Sequence, residues 1–582
     1  MFMLNPGRAL IALSLFFLPQ LMAAQDVEQV VKAPPLVANG GLNMSHIFNY
    51  SPDSVSRLEP YSYYLSGNFN TSLFGVVNLP LSFAYTNNQV TANLPQPFNR
   101  FSLSPSYRWI TTHMGYGSMT FSPYTLSGHE FFGGGVELKP ENGFRFAALY
   151  GRFRKAVQPD SSVYEPMYRR MGGGFLLGYE GDNMDVSVNL FKASDQVGSL
   201  DLSEEQVQAM PAPAENVAGS VVLSYRLANG FSVMGEYGLS AINHDIGRAD
   251  SLPGDFGDRF FTSHGDVTVH HAFKAAVAQS TSLGRIGATY ERVQPNYQTF
   301  GVYYFTNDFE NITANLATTL FKRINVALDA GYQRDNLEGQ KTSTGKRAIY
   351  SANVSAPVSD RLSLGLSFSN VQSYMHIRDI YDEVTRSNQY QNLDTLSFTQ
   401  LNLSSSLNAN YVLRATEQQR QNLNFAFSYQ EASEQQEDDR RYVGSRIYNT
   451  MLSYLFSLTP TRFTAAATVN HNQNNMPEMN MHVLSYNLSL QKVFAEQFRT
   501  AFTGTYSSTF NDDGGVADIL NFRLTGGYSL KKRHNFNVSL AMVNNQAQRG
   551  HSTSYSANLS YSYIFDMRLL RTNKKFGFEG NF

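Results

Sequence analysis

The chain of 582 residues has no cysteine, one tryptophan and few charges. Without cysteine there is no disulfide framework and no thiolate metal site. A lipidated N-terminus is excluded too, since it needs a cysteine at the cleavage point. Charged residues make up 16%, against the roughly 25% usual for soluble domains, so ordinary solvent-facing surface is scarce. A formal net charge of -2 gives no electrostatic reason to invoke nucleic acid. No stretch holds the ~18 consecutive apolar residues of a spanning helix.

Tyrosine (34) and phenylalanine (42) are abundant, and their placement is regular. In Tyr555–Phe565, alternate positions read Tyr555, Ala557, Leu559, Tyr561, Tyr563 and Phe565, while Ser556, Asn558, Ser560 and Ser562 fill the gaps. Side chains of a strand point to opposite faces with a period of two. This segment therefore has one apolar and one small polar face, over the roughly ten residues that a tilted strand needs to cross a bilayer. The pattern recurs in Phe231–Leu239, Leu362–Ser369, Leu401–Tyr411, Leu423–Tyr429, Tyr448–Phe456, Leu520–Leu530 and Phe536–Met542.

The N-terminus reads as a secretory signal peptide over 1–24: Arg8, a short apolar run Ala9–Leu18, then Met22-Ala23-Ala24 before Gln25. Residues 25–38 form a charged, proline-containing lead-in, too short for a globular plug. Connections in the body fall into two classes. Compact turn chemistry marks Pro140–Gly143, Gly181–Asn183, Ala228–Gly230, Ser359–Asp360, Ala495–Gln497 and Lys531–Arg533. Alternating with these are long connections at about 157–170, 197–216, 246–269, 294–307, 376–394 and 432–444. One rim of tight turns and one of long loops is the asymmetry of an outer-membrane barrel.

Alternation alone also suits a soluble sandwich or a propeller. The turns recur at uneven spacing, without a blade repeat. The polar face is Ser, Asn, Thr and Gly rather than interspersed charge, and aromatics gather near strand ends. Strands in lipid leave no edge groups unpaired, so the sheet must close. The expected fold is all-β: a closed antiparallel transmembrane barrel of about 26 strands over 39–566, with short periplasmic turns, long extracellular loops and a periplasmic tail at 567–582. Its place is the bacterial outer membrane.

The alternating strands, the signal peptide and the aromatic-rich closing strand resemble those of bacterial outer-membrane β-barrel proteins. Phe121–His129 (FSPYTLSGH), followed by Phe131–Gly135, resembles segments of Bacteroidetes-type outer-membrane barrels and implies no activity. The resemblance implies lipid and the barrel-assembly machinery as partners, the latter reading an aromatic-ending last strand. Phe565 fits that signal if Tyr555–Phe565 is the closing strand; Phe582 is the chain's own terminus, behind Lys574 and Lys575.

By parity, Glu236, Glu291, Asp329, Arg499 and Arg523 point into the lumen. Their mixed sign and wide spacing suit wall residues better than a one-sign selectivity ring. His264, His270 and His271, with Asp258, Ser263 and Asp266, lie in or beside one long loop, but no spacing matches a zinc motif. His471 beside Asn470 and Asn472, and the run Asn511–Gly515, are read as ordinary strand-top and turn chemistry. Tyr164, Tyr168, Arg169 and Arg170 form an aromatic-basic cluster, read as rim anchors in preference to a site for sugar or a lipid headgroup. No cofactor or metal is implied. The functional expectation is a channel for hydrophilic solutes, with loops 246–269 and 197–216 folded inward as a gate. The alternatives are an accessory barrel that assists another envelope protein and, remotely, an outer-rim hydrolase.

Overall fold

The computed structural model describes residues 34–52, 59–87, 99–158, 166–201, 210–247, 267–340, 346–370, 373–375, 399–401, 403–434, 443–476, 479–548, 550–572 and 575–580. Residues 1–24, read as a signal peptide, and most of the lead-in lie outside these, as do Tyr164, Asp258, Ser263, His264 and Asp266.

The strands pair antiparallel, each with its sequence neighbour, from Leu36–Tyr50 onwards. The ring closes where all of Leu36–Tyr50 pairs with Tyr555–Leu569 of the last strand. This is a closed barrel of 26 strands, counting the interrupted pieces Arg100–Leu103 and Ser106–Tyr107 as one. Pro105 separates those two pieces; proline has no N–H to give to a ladder.

The closing strand is longer than its alternation marks. It runs Gly550–Thr572, so Phe565 lies inside it, and a short strand Lys575–Gly580 folds back onto Met567–Thr572. Part of the segment read as a tail is therefore sheet. A separate two-strand ladder, Ser373–Met375 with Thr399–Leu401, stands outside the ring.

Tight turns join strands at one rim. Several put non-glycine residues in the left-handed region, among them Ala495 and Glu496, and Lys531 and Lys532. Two successive positive-φ residues give the turn twist that matches flanking strands. The opposite rim carries longer connections over the first two-thirds of the chain. Near the C-terminus it too becomes tight, as at Asp512–Asp513 between strands ending at Asn511 and starting at Gly514.

The outer face is apolar: Ile286, Ile312, Leu452, Leu488, Leu524 and Leu540 are among the exposed side chains. Exposed aromatics band both ends of the strands, with Phe144, Phe494, Phe498 and Phe536 at the turn rim and Tyr50, Tyr85, Tyr506 and Tyr555 at the loop rim. These are the girdles of a transmembrane barrel. Opposite them, much of the inner wall is a set of neutral pairs bonded across strands. Asn353 with Ser367, Asn449 with Asn470, and Asn487 with Thr505 each lie at 2.8 Å.

This two-faced wall makes a direct prediction. Leu540→Arg, on the lipid face, should destabilise the folded barrel in vesicles by roughly 2–4 kcal/mol. Asn537→Arg, on the same strand but the inner face, should cost far less. Urea titration of the gel-shift between folded and unfolded forms reads both.

Candidate functional site

One arc of the inner wall breaks the neutral polar rule. On the strands from Ile110–Thr120 round to Gly284–Val293, the inward residues include Phe131, Phe153, Phe191, Leu149 and Ala193, all buried. Apolar side chains facing a water-filled lumen need a cover, and two inward-folded segments supply it. The first is the turn Phe121–Leu126, the second the connection 294–308.

The two segments dock on each other. Leu126 and Gly301 form a parallel bridge, and the Ser127 amide donates to the Gly301 carbonyl at 3.0 Å. Thr299 Oγ1 donates to the Thr125 carbonyl at 2.6 Å, and the Tyr297 hydroxyl to the Tyr124 carbonyl at 2.7 Å. A Cβ on Gly301 would stand 2.3 Å from the Thr125 carbonyl oxygen, so this approach requires glycine.

Together they form a shelf with two cores. In one, Phe121, Leu126 and Phe300 cover Phe131, Phe153 and Phe191. Rings 131 and 153 stack at 5.9 Å, and 153 meets 191 edge-on at 5.1 Å. In the other, Tyr124 and Tyr297 pack on Ala272 and Val293. Each fully buried Phe or Leu contributes roughly 1.5–3 kcal/mol, against ~0–1 for an exposed ion pair. Apolar burial therefore holds the shelf more than its charges do.

Polar contacts fix its register on the wall. Asn216 Nδ2 donates to Ser240 Oγ at 2.7 Å, and its Oδ1 accepts from the Phe300 amide at 3.0 Å. Ser122 donates to Glu236, and the Tyr124 hydroxyl donates to Glu291 Oε1 at 2.8 Å. Burial raises both shelf phenols, Tyr124 further through the adjacent Glu291 carboxylate and Tyr297 through Glu236. Both stay protonated, which keeps them donors.

A charged clamp grips the outer edge. Arg170 binds Asp195 through both carboxylate oxygens, at 2.8 and 2.9 Å, while Arg154 reaches Oδ1 at 3.0 Å. The Arg170 guanidinium lies 3.5 Å from the centre of the Phe300 ring, close enough for a cation–π contact. Tyr168 is buried beside it. The reading of Arg170 as a rim anchor is thus corrected: it turns inward and pins the shelf.

Of the lumen charges expected from parity, Glu236 and Glu291 meet beneath the shelf. Glu291 also lies 3.8 Å from Lys274 Nζ. Asp329 accepts from Ser351 Oγ at 2.6 Å, away from the shelf. Arg499 and Arg523 sit on adjacent strands opposite Gly527 and Thr503, remote from the other three in sequence and in ring position.

The described histidines of that group do not assemble. His270 and His271 are consecutive in the strand Val267–Thr281, so they face opposite sides. His271 bonds the hydroxyl of the exposed Tyr237 at 2.6 Å. His471 stacks on His482 at 5.6 Å and His482 on Phe510 at 5.1 Å, whereas Asn470 bonds Asn449 on the inner wall. Among the described residues no group of three His, Asp or Glu could hold a metal ion.

Of the candidate gating loops, 246–269 falls largely outside the described residues, at 248–266, while 197–216 lacks only 202–209; its described ends are tied down, with the Ala214 amide donating to Asp195 Oδ2 at 3.3 Å and Ser199 Oγ accepting from the Arg169 amide at 2.9 Å. The segments seen folded inward are different ones. Connection 294–307 reads from sequence only as a long loop, and Phe121–Leu126 only as part of a resemblance. An available signal was the loss of contrast between faces: Phe131-Phe132 and the apolar run Phe146–Tyr150 are hydrophobic on both parities, the mark of a sheet covered on both sides.

A closed ring with an apolar belt and two aromatic girdles is a transmembrane β-barrel of the bacterial outer membrane. No family model and no curated protein matches the sequence. Among solved structures, the PapC translocation pore of the P pilus usher is 10% identical over 90% of this chain and 99% of its own, with a TM-score of 0.36. The siderophore receptor PiuA from Acinetobacter baumannii is 10% identical over 90% and 81%, TM-score 0.35. The anion-selective porin from Comamonas acidovorans is 11% identical over 54% and 92%, TM-score 0.30. These likenesses extend to architecture and no further.

The clamp is testable. Asp195→Ala leaves two arginines facing each other without their buried partner, a loss of roughly 3–5 kcal/mol locally. The barrel should still fold, while chymotrypsin should cleave after Tyr303 or Tyr304 faster than in the native protein. Gly238 gives a second handle, since a Cβ there would stand 2.7 Å from Tyr124 Cβ; Gly238→Val should expose the same sites.

Proposed function

We propose that the barrel is a conduit for hydrophilic solutes across the outer membrane, narrowed along one arc by a fixed shelf. The observation that carries this reading is the division of the inner wall. The shelf buries the apolar arc, and the rest presents amides and hydroxyls already bonded to each other across strands. Such a wall offers water-like contacts without strong sites, which lets polar solutes enter and leave.

Twenty-six strands spaced ~4.8 Å apart and tilted ~40° enclose a ring roughly 50 Å across. An unobstructed opening of that width would breach the membrane, so the lumen needs material in it. The shelf supplies part, as a static constriction: a segment with two apolar cores and an arginine clamp is costly to swing aside. Loops 197–216 and 246–269 are the candidates for the remainder. The five lumen charges tune passage rather than form a one-sign ring, since two are engaged beneath the shelf, Asp329 lies apart, and Arg499 and Arg523 sit together on the far side. The split of His270 and His271 between faces argues against a hydrolase at that rim. Lipid and, during biogenesis, the barrel-assembly machinery are the expected partners.

Purified barrel in liposomes should swell in small sugars, and sealed vesicles that copurify with a second envelope protein would instead support the accessory reading. Replacing 295–307 by a Gly/Ser spacer should raise single-channel conductance. Deleting 248–266 separates the two devices: a gate at that loop requires conductance to change, and unchanged conductance leaves the shelf as the sole constriction.

A further inference from the structure

The shelf does not bury everything it carries. Between its free edge and the wall lies a cleft of about 480 Å³, lined by Tyr124, Glu291, Tyr303, Tyr304, Phe305 and Thr306 among others. Tyr304 is 40% exposed. Elsewhere the uncovered inner wall is mostly Ser, Asn and Thr with scattered charges, so aromatic faces open to lumen water are uncommon there and need a reason. Phe305 is held in place by Tyr297 at 4.9 Å and Tyr124 at 6.1 Å. Tyr303 is held by stacking on His129 at 4.1 Å and by the Glu130 amide, which donates to its hydroxyl at 3.1 Å. Tyr303 and Phe305, on either side of Tyr304, are thus in place before any ligand arrives, which lowers the ordering left to be done on binding.

The polar component is equally fixed. Glu291 is the carboxylate in the cleft, and its charge is already answered: Tyr124 donates to one oxygen and Lys274 lies 3.8 Å from the other. It therefore acts as an oriented acceptor rather than a bare negative charge. An anion would face Glu291 with Glu236 behind it. A purely apolar ligand would leave Glu291 and Thr306 without use. A ligand with C–H faces for the rings and hydroxyl edges for the polar groups matches both components, and the cleft volume suits one or two pyranose rings.

We propose that this cleft is a subsite for a neutral saccharide, with Tyr304 as its stacking platform and Glu291 as its hydrogen-bond acceptor. The inference rests on the reading of the barrel as a conduit for hydrophilic solutes and names the solute class. The test is calorimetric titration of the full chain in detergent micelles with maltotriose, cellotriose and, as a cation probe, tetraethylammonium. At least one trisaccharide should bind. Tyr304→Ala should weaken it about tenfold, the scale of one lost aromatic contact, while Tyr304→Phe, which keeps the ring, should bind as the native protein does. Heat-modifiable mobility on gels confirms that both variants fold. No binding of either trisaccharide, equal binding by Tyr304→Ala, or binding of tetraethylammonium alone would each overturn the subsite. Liposome swelling, read in parallel, separates the two levels. Swelling without binding sinks the subsite and keeps the conduit; binding without swelling does the reverse.

Discussion

Everything in this molecule depends on the absence of water beside its backbone. In hydrocarbon each unpaired N–H or C=O costs several kcal/mol, so the seam between Leu36–Tyr50 and Tyr555–Leu569 is an obligation rather than an ornament. Once the ring is closed, the strand's period of two assigns every side chain to lipid or lumen. The outer belt, the two girdles and the neutral inner pairs all follow from that one closure.

The shelf shows the condition under which the inward rule is suspended. Phe131, Phe153 and Phe191 point into the lumen, yet none touches water, because Phe121, Leu126 and Phe300 come down over them. What the arc loses in polarity it regains as a core, and the core decides the behaviour of the loops that build it. Segments tied down by aromatic packing, a bidentate arginine and hydrogen bonds to each other's backbone stay where they are. Gating, if loops perform it, falls to connections without such anchorage.

How much of this was legible follows from how local each feature is. Ring, turns and strand number are written in alternation and turn residues: Tyr555–Phe565 and Leu520–Leu530 declare their faces unaided. The shelf is written across distance. Nothing near Phe300 announces Arg170, and nothing near Ser122 announces Glu236; those partners meet only once intervening strands have turned the chain back. Parity placed Glu236 and Glu291 on one side of the sheet without revealing that a loop would cover both. The opposite faces of His270 and His271, by contrast, needed only the strand period, since consecutive residues in a strand cannot share a face.

One feature of the shelf also shapes the mechanics of the whole ring. Its bonds tie Ser122 to Glu236 and Tyr124 to Glu291, across strands that are not neighbours in the sheet. They act as chords across an arc. A hoop this wide, held only by side-to-side ladders, flattens easily under lateral pressure from the bilayer. Among the described residues the chords lie along one arc, so that arc keeps its curvature and ovalisation is taken up by the opposite flank, where the strands are longest and the rim connections shortest.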